Sequence, residues 1–165
     1  MIRELVIEDY DAYSSLRSEG LTTEPTSFWA SEEEEIPFRK SRFENTLQSE
    51  FDFMLGGFEG NQLVAIAGYI RHSKKKLSHK GYIWGVYTHQ SRRGLGFSKS
   101  LMDVMIKKAF EVEDVKQIVL TTRADNEAAN NLYLKLGFEI YGTEPKASQI
   151  QGTYYDEVQM VKFRT

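Results

Sequence analysis

Gly60-Asn61 separates two apolar runs, Phe51 to Glu59 and Gln62 to Arg71, and a tight turn between such runs specifies a β-hairpin. A third strand is expected over Gly81 to Thr88, joined to the hairpin by the polar stretch His72 to Lys80. After Thr88 the spacing changes. Leu101, Met102, Met105, Ile106, Ala109 and Phe110 recur at helical intervals and make a wide apolar stripe. Gln117 to Thr122 reads as a strand buried on both faces. Ala128 to Leu136 reads as a short helix with Gly137 as its C-cap, followed by strands over Phe138 to Tyr141 and Tyr154 to Phe163.

Toward the N-terminus, Ile2 to Ile7 is expected as a strand, and a helix opens near Asp9 and closes at Gly20. Residues 21–37 read as irregular, with Pro25 and Pro37 at their edges. Arg39 to Glu50 reads as a helix, with Phe38, Phe43 and Leu47 at its spacing. A run of antiparallel strands followed by strand–helix–strand–helix–strand implies an α/β (α+β) mixed sheet with helices on its faces. No repeat, linker or shift of composition interrupts the chain, so one domain over residues 1–165 is expected.

Composition narrows the function classes. With 41% hydrophobic and 13% aromatic residues, the chain has the makings of a folded core. No apolar run approaches the ~18 residues of a membrane span, and the N-terminus lacks an apolar signal core. The absence of cysteine excludes disulfides, thiolate metal sites and a cysteine nucleophile, and no metal site is expected. A cytoplasmic protein is the expectation. The net charge of -3 argues against a general nucleic-acid binder, which needs a positive excess to displace phosphate counterions.

The segment Thr88 to Lys99 joins a strand to the long amphipathic helix through two arginines and two glycines. A junction of this kind presents unpaired backbone N–H groups and a positive helix end to a phosphate or pyrophosphate. Gly94 and Gly96 allow close backbone approach, and Arg92 and Arg93 add charge-assisted donors. A dinucleotide fingerprint is excluded because Lys99 stands where the third glycine belongs, and the spacing of a P-loop is absent. Further on, Asn126 opens a helix after the buried strand, and Tyr133 lies two turns along the same face. Taken alone, those features also describe a simple turn and a capped helix with a core tyrosine.

Together the two segments resemble the GNAT superfamily of N-acetyltransferases. The later helix matches the family pattern at Asn126, Ala129, Leu132, Tyr133, Lys135, Gly137 and Phe138. Tyr154 to Met160 is similar to the closing strand of many bacterial members, and the likeness covers roughly residues 50–165. The chain departs from the family loop at Ser91, where Gln or Arg is usual, although Gln90 and Arg92 flank it.

The resemblance implies a GNAT fold: about seven mostly antiparallel strands with a splayed parallel central pair. It implies acetyl-CoA as donor, its pantetheine arm pairing with the strand Trp84 to Thr88, where Val86 and Thr88 are expected contacts. Arg92, Arg93, Gly94, Leu95, Gly96, Phe97, Ser98 and Lys99 would hold the pyrophosphate, with Asn126 and Ala129 against the arm. Tyr133 would act as general acid, since a phenol of pKa ~10 can protonate a departing thiolate of ~8.5. A typical amine of pKa ~10.4 is about one part in a thousand neutral at pH 7, yet no carboxylate stands in the strand before the loop. His79, His89, a water chain to a more distant carboxylate, or no base at all remain open.

The acceptor is expected to be a primary amine of a small molecule or peptide. Its cleft would be lined by Phe28, Trp29 and Tyr154, beside the run Glu32 to Glu35. That run reads equally as a solvated helix start. The resemblance also admits a homodimer. The rival readings are a non-catalytic CoA-binding sensor or assembly module and a nucleic-acid module using Arg92-Arg93 and Lys74 to Lys76.

Overall fold

The computed structural model describes residues 1–165. Seven strands form one sheet: β1 (Ile2–Glu4), β2 (Phe53–Glu59), β3 (Gln62–Arg71), β4 (Lys80–Thr88), β5 (Gln117–Arg123), β6 (Glu139–Ile150) and β7 (Thr153–Phe163). Their order across the sheet is β1-β2-β3-β4-β5-β7-β6. Every neighbouring pair is antiparallel except β4 and β5, which run parallel through the crossover that holds α3 (Phe97–Glu111). The other helices are α1 (Tyr10–Thr23), α2 (Glu32–Gln48) and α4 (Glu127–Lys135).

Side-chain alternation along the strands builds two cores, one on each face. On one face Leu55, Ala67, Tyr69, Ile83, Ile118 and Met160 pack against Leu101, Met102 and Met105 of α3 and against Tyr133 of α4. On the other, Met54, Ile66 and Tyr87 pack against Tyr13 and Leu16 of α1 and Phe43 of α2. The mixed sheet of seven strands with helices on both faces agrees with the sequence expectation. No helix is long and apolar enough to cross a membrane.

Several boundaries differ. Residues 21–37 are not irregular throughout: α1 continues to Thr23 and α2 begins at Glu32. Ser31 caps α2 by accepting from Glu34 N, while Glu34 reaches back to Ser31 N, a reciprocal cap that starts the helix before Pro37. Phe38 is exposed although Phe43 of the same helix is buried. β1 stops at Glu4 because Val6 to Asp9 turn to enter α1. β6 runs nine residues past the expected Tyr141, to Ile150. It is an exposed edge strand, so Pro145 costs no inner ladder bond and the segment carries no apolar run. β5 is buried on one face only: Ile118 and Leu120 are covered, while Val119 and Thr121 are half-buried on the other side.

Candidate functional site

β4 and β5 pair at Lys80–Gln117, Gly81–Ile118 and Tyr82–Val119 and then separate. Both strands continue, β4 to Thr88 and β5 to Arg123, without pairing to each other. Within the unpaired stretch β4 is bulged. Ile66 lies opposite Tyr87 and Gly68 opposite Trp84, so β4 carries one extra residue, and Gly85 takes φ 63°. The bulge and splay leave backbone groups of Trp84 to Thr88 facing an open wedge. A groove of about 1190 Å³ fills that wedge and extends over both faces.

The loop after β4 closes one end of the groove. A short turn over Gln90–Arg92 leads through Arg93 to Gly94 (φ 77°) and Gly96 (φ 87°), and α3 starts at Phe97. No side chain caps α3, and a Cβ at Gly94 or Gly96 would meet nothing within 4 Å. The first amides of the helix therefore stand open in the geometry that receives an anion. Arg92 and Arg93 line the same end, each held by a carboxylate: Arg92 Nε lies 2.6 Å from Glu59 and Arg93 Nη1 lies 2.9 Å from Glu24. Thr88 Oγ1 and Ser98 Oγ are 2.8 Å apart and tie strand end to helix start. Val86, Thr88, Gly94, Gly96, Phe97, Ser98 and Lys99 all line the groove, whereas Leu95 does not and is exposed.

On the β5 side, Asn126 Oδ1 accepts from Ala129 N at 3.2 Å, capping α4 and placing both residues on the groove wall. Tyr133 lies farther along α4, buried but still lining the groove. Burial raises its pKa, reinforced by the neighbouring Tyr82, so the phenol keeps its proton throughout the neutral range.

The opposite face of the groove is built from α1, α2 and the chain between them. Phe28 and Trp29 line it; Tyr154 does not, and stands exposed on β7. Arg17 lies under the ring of Phe28, 4.6 Å from its centroid, and makes a two-point bond to Glu35. Trp29 donates its indole N–H to Glu157 Oε1 at 2.8 Å. The glutamate run is not an open acidic cleft. Glu35 is buried between Arg17 and Arg39, Glu32 pairs with Arg39, and only Glu33 and Glu34 are fully exposed.

Neither His79 nor His89 lines the groove. His89 holds the loop, its Nδ1 accepting from Ser91 N at 3.2 Å and its Nε2 lying 3.3 Å from Glu19. Among the charged groove residues that sequence reasoning passed over are Arg17 and Glu157. The signal for Arg17 was a lone arginine inside an otherwise ordinary amphipathic helix. For Glu157 it was an acidic residue in phase with the outward positions of a strand, indistinguishable in sequence from a solvated one.

A family model for the "Acetyltransferase (GNAT) family" matches residues 15–138. The N-alpha-acetyltransferase daf-31 of Caenorhabditis elegans is 39% identical over 98 residues, 59% of this chain and 53% of that protein. The chain thus spans about half the length of that relative. The L-amino acid N-acetyltransferase AaaT of Escherichia coli is 28% identical over 110 residues, 62% of this chain and 68% of that protein. The fold superposes on a ribosomal-protein-alanine N-acetyltransferase from Brucella melitensis with TM-score 0.88 at 23% identity, covering 99% of both chains. The matched region carries the splayed strands, the loop into α3 and α4, and on that match the chain belongs to the acetyltransferase (GNAT) family.

Proposed function

We propose that this protein is an acetyl-CoA-dependent N-acetyltransferase acting on a primary amine, organised as one domain over residues 1–165. The observation that carries the reading is the joining of three features in one groove: an unpaired β4 edge, an uncapped helix start and a buried, protonated Tyr133. The open amides of Gly96 to Lys99 suit a pyrophosphate, and the β4 edge suits an amide-bearing arm that adds itself to the ladder. Bound acetyl-CoA supplies a thioester carbonyl. A backbone N–H in the bulged stretch of β4 stabilises the charge that develops on its oxygen. Tyr133 holds a proton at neutral pH and gives it to the departing sulfur. Phe28 and Trp29 on the far wall suit a cationic amine by ring–cation attraction. The names of the relatives, an N-alpha-acetyltransferase and an L-amino acid N-acetyltransferase, support an amine as the acceptor.

Thermal unfolding with acetyl-CoA, CoA and ATP tests this reading. A ligand at a hundred times its Kd adds about 2.7 kcal/mol. Acetyl-CoA and CoA are expected to raise Tm and ATP is not, and an amine screen is expected to yield acetylated product. Binding without transfer to any amine would instead support a CoA-binding module.

A further inference from the structure

We propose that Glu157 is the acceptor-side carboxylate: it seats the ammonium group of the acceptor and takes its proton. The proposal rests on the acetyl-transfer reading above. Glu157 is only 6% exposed, and carboxylates are rarely buried without a cation. No cation of the protein serves it. Arg123 stands opposite on β5, but its guanidinium is committed to Asp125 at 2.6 and 2.7 Å and lies over the ring of Tyr155. On the other side, Glu144 of β6 stands opposite with a charge of the same sign. The one bond Glu157 receives is the neutral indole N–H of Trp29 on Oε1. A groove-lining carboxylate held in place but lacking a counter-charge is completed by a cationic ligand.

The other carboxylates of the groove are already engaged. Glu24 holds Arg93, Glu35 is clamped by Arg17 and Arg39, and Asp52 accepts from Arg71 N at 2.9 Å. Between Lys80 and Thr88, β4 offers none.

Position agrees with this role. Val158 and Met160 are buried in the same core as Tyr133, so strand alternation turns Glu157 to the opposite face. Ile83 shares the core with Tyr133, and Tyr82 accordingly lies on the side of Glu157, at the last paired position before the strands part. Tyr82 lines the groove together with Glu157 and Tyr133. Proton donor and proton acceptor thus face each other across the wedge where the thioester would lie.

The step balances as follows. Glu157 takes one proton from the ammonium, and the amine nitrogen forms a bond to the thioester carbonyl carbon. The C–S bond breaks, Tyr133 gives its proton to sulfur, and the nitrogen loses its second proton. One of the two protons taken from nitrogen restores Tyr133, and the other leaves to solvent.

The test uses the full chain with an amine acceptor found in the screen, measuring kcat/KM across pH. Glu157→Gln is expected to lower kcat/KM at about pH 7 by ~10²–10⁴-fold, the usual contribution of a general base. Because the free-amine fraction rises tenfold per pH unit, the deficit should shrink by about that factor per unit toward the amine's pKa. Glu157→Asp should retain part of the activity, and the acetyl-CoA thermal shift should be unchanged. A variant within threefold of wild type and with a parallel pH profile would overturn the proposal. Should Glu157→Gln fail to fold, the pH profile of Trp29→Phe decides, since Trp29 is exposed and the change removes the indole donor to Glu157 while keeping an aromatic ring on the acceptor wall. A several-fold loss that shrinks toward the amine's pKa supports the proposal, and wild-type kcat/KM or a loss constant across pH overturns it. If the wild-type protein transfers acetyl to no amine, the acetyl-transfer reading itself falls and this one with it.

Discussion

Arg17 grips Glu35 through two nitrogens, Nε at 2.9 Å from Oε1 and Nη2 at 2.7 Å from Oε2, and Arg39 Nε reaches the same Oε1 at 3.1 Å. All three residues are buried, and the pair joins α1 to α2 beneath the groove. Removing the shared carboxylate would strand the Arg17 guanidinium away from water and leave Arg39 its bonds to Glu32, Ser14 and Ser18. Glu35→Ala should therefore cost about 3–5 kcal/mol, a penalty expected when one partner of a buried pair is lost. Urea unfolding checks this: the midpoint should fall with an unchanged m-value. A loss under about 1 kcal/mol would place the pair among the weak surface contacts.

Stability should fall at both ends of the pH scale. Arg3 holds Asp9 below the usual carboxylate range. Burial pushes Glu35 and Glu32 upward, but bonds to Arg17, Arg39 and Ser18 outweigh it and leave both lowered. A depressed folded pKa stabilises above the unfolded value of ~3.9–4.3, and that stability is lost as pH falls through the folded value. Tyrosines act in the opposite sense. Burial pushes Tyr13 up to about 12 and raises Tyr69, Tyr82 and Tyr133. Their contribution is complete below the unfolded value of ~10 and is lost as pH rises toward the folded values. Urea midpoints from about pH 3 to 11 should show a plateau between two declines. A midpoint as high at about pH 3 as at neutrality would contradict the carboxylate part.

Tyr133→Phe keeps the ring in the core and removes the proton. Turnover should drop by ~10²-fold or more while the acetyl-CoA thermal shift persists. Unchanged kcat would reduce Tyr133 to a packing residue.

Gly96 tests the loop. At φ 87° an alanine is strained by about 1–2 kcal/mol, yet its Cβ would meet no neighbour. Gly96→Ala should therefore cost little more than that strain in the free protein but weaken CoA binding at least tenfold by occupying the approach to the amides. Wild-type affinity in calorimetry would remove the loop from the binding site.

The elements that sequence made legible are those whose pattern is local. The Gly60-Asn61 hairpin, the stripe of Leu101 to Phe110 and the helix from Glu127 were all readable, because turn chemistry and helical spacing act over a few residues. The α2 start was hidden because Pro37 looked like a boundary, whereas the reciprocal cap at Ser31 and Glu34 set the start earlier and left the proline inside. β6 was hidden because an exposed edge strand has no need of apolar residues. The same limit applied to the groove. The glycines and Tyr133 were visible as motif positions, while the environment of Glu157 depends on Trp29, 128 residues away. Such a contact exists only after folding, and nothing in the local spacing of either residue announces it.

The three paired positions between β4 and β5 have a mechanical consequence. They are the only ladder joining the four-stranded N-terminal part of the sheet to the three-stranded C-terminal part. Beyond Tyr82 and Val119, the wedge is kept from zipping shut by the bulge at Gly85 and Val86. A ligand that bonds to Trp84 to Thr88 would serve as the missing rung between the two parts. Amide hydrogens in that stretch that point away from β3 should then exchange slowly only when the ligand is present, making the sheet a seam that the substrate itself fastens.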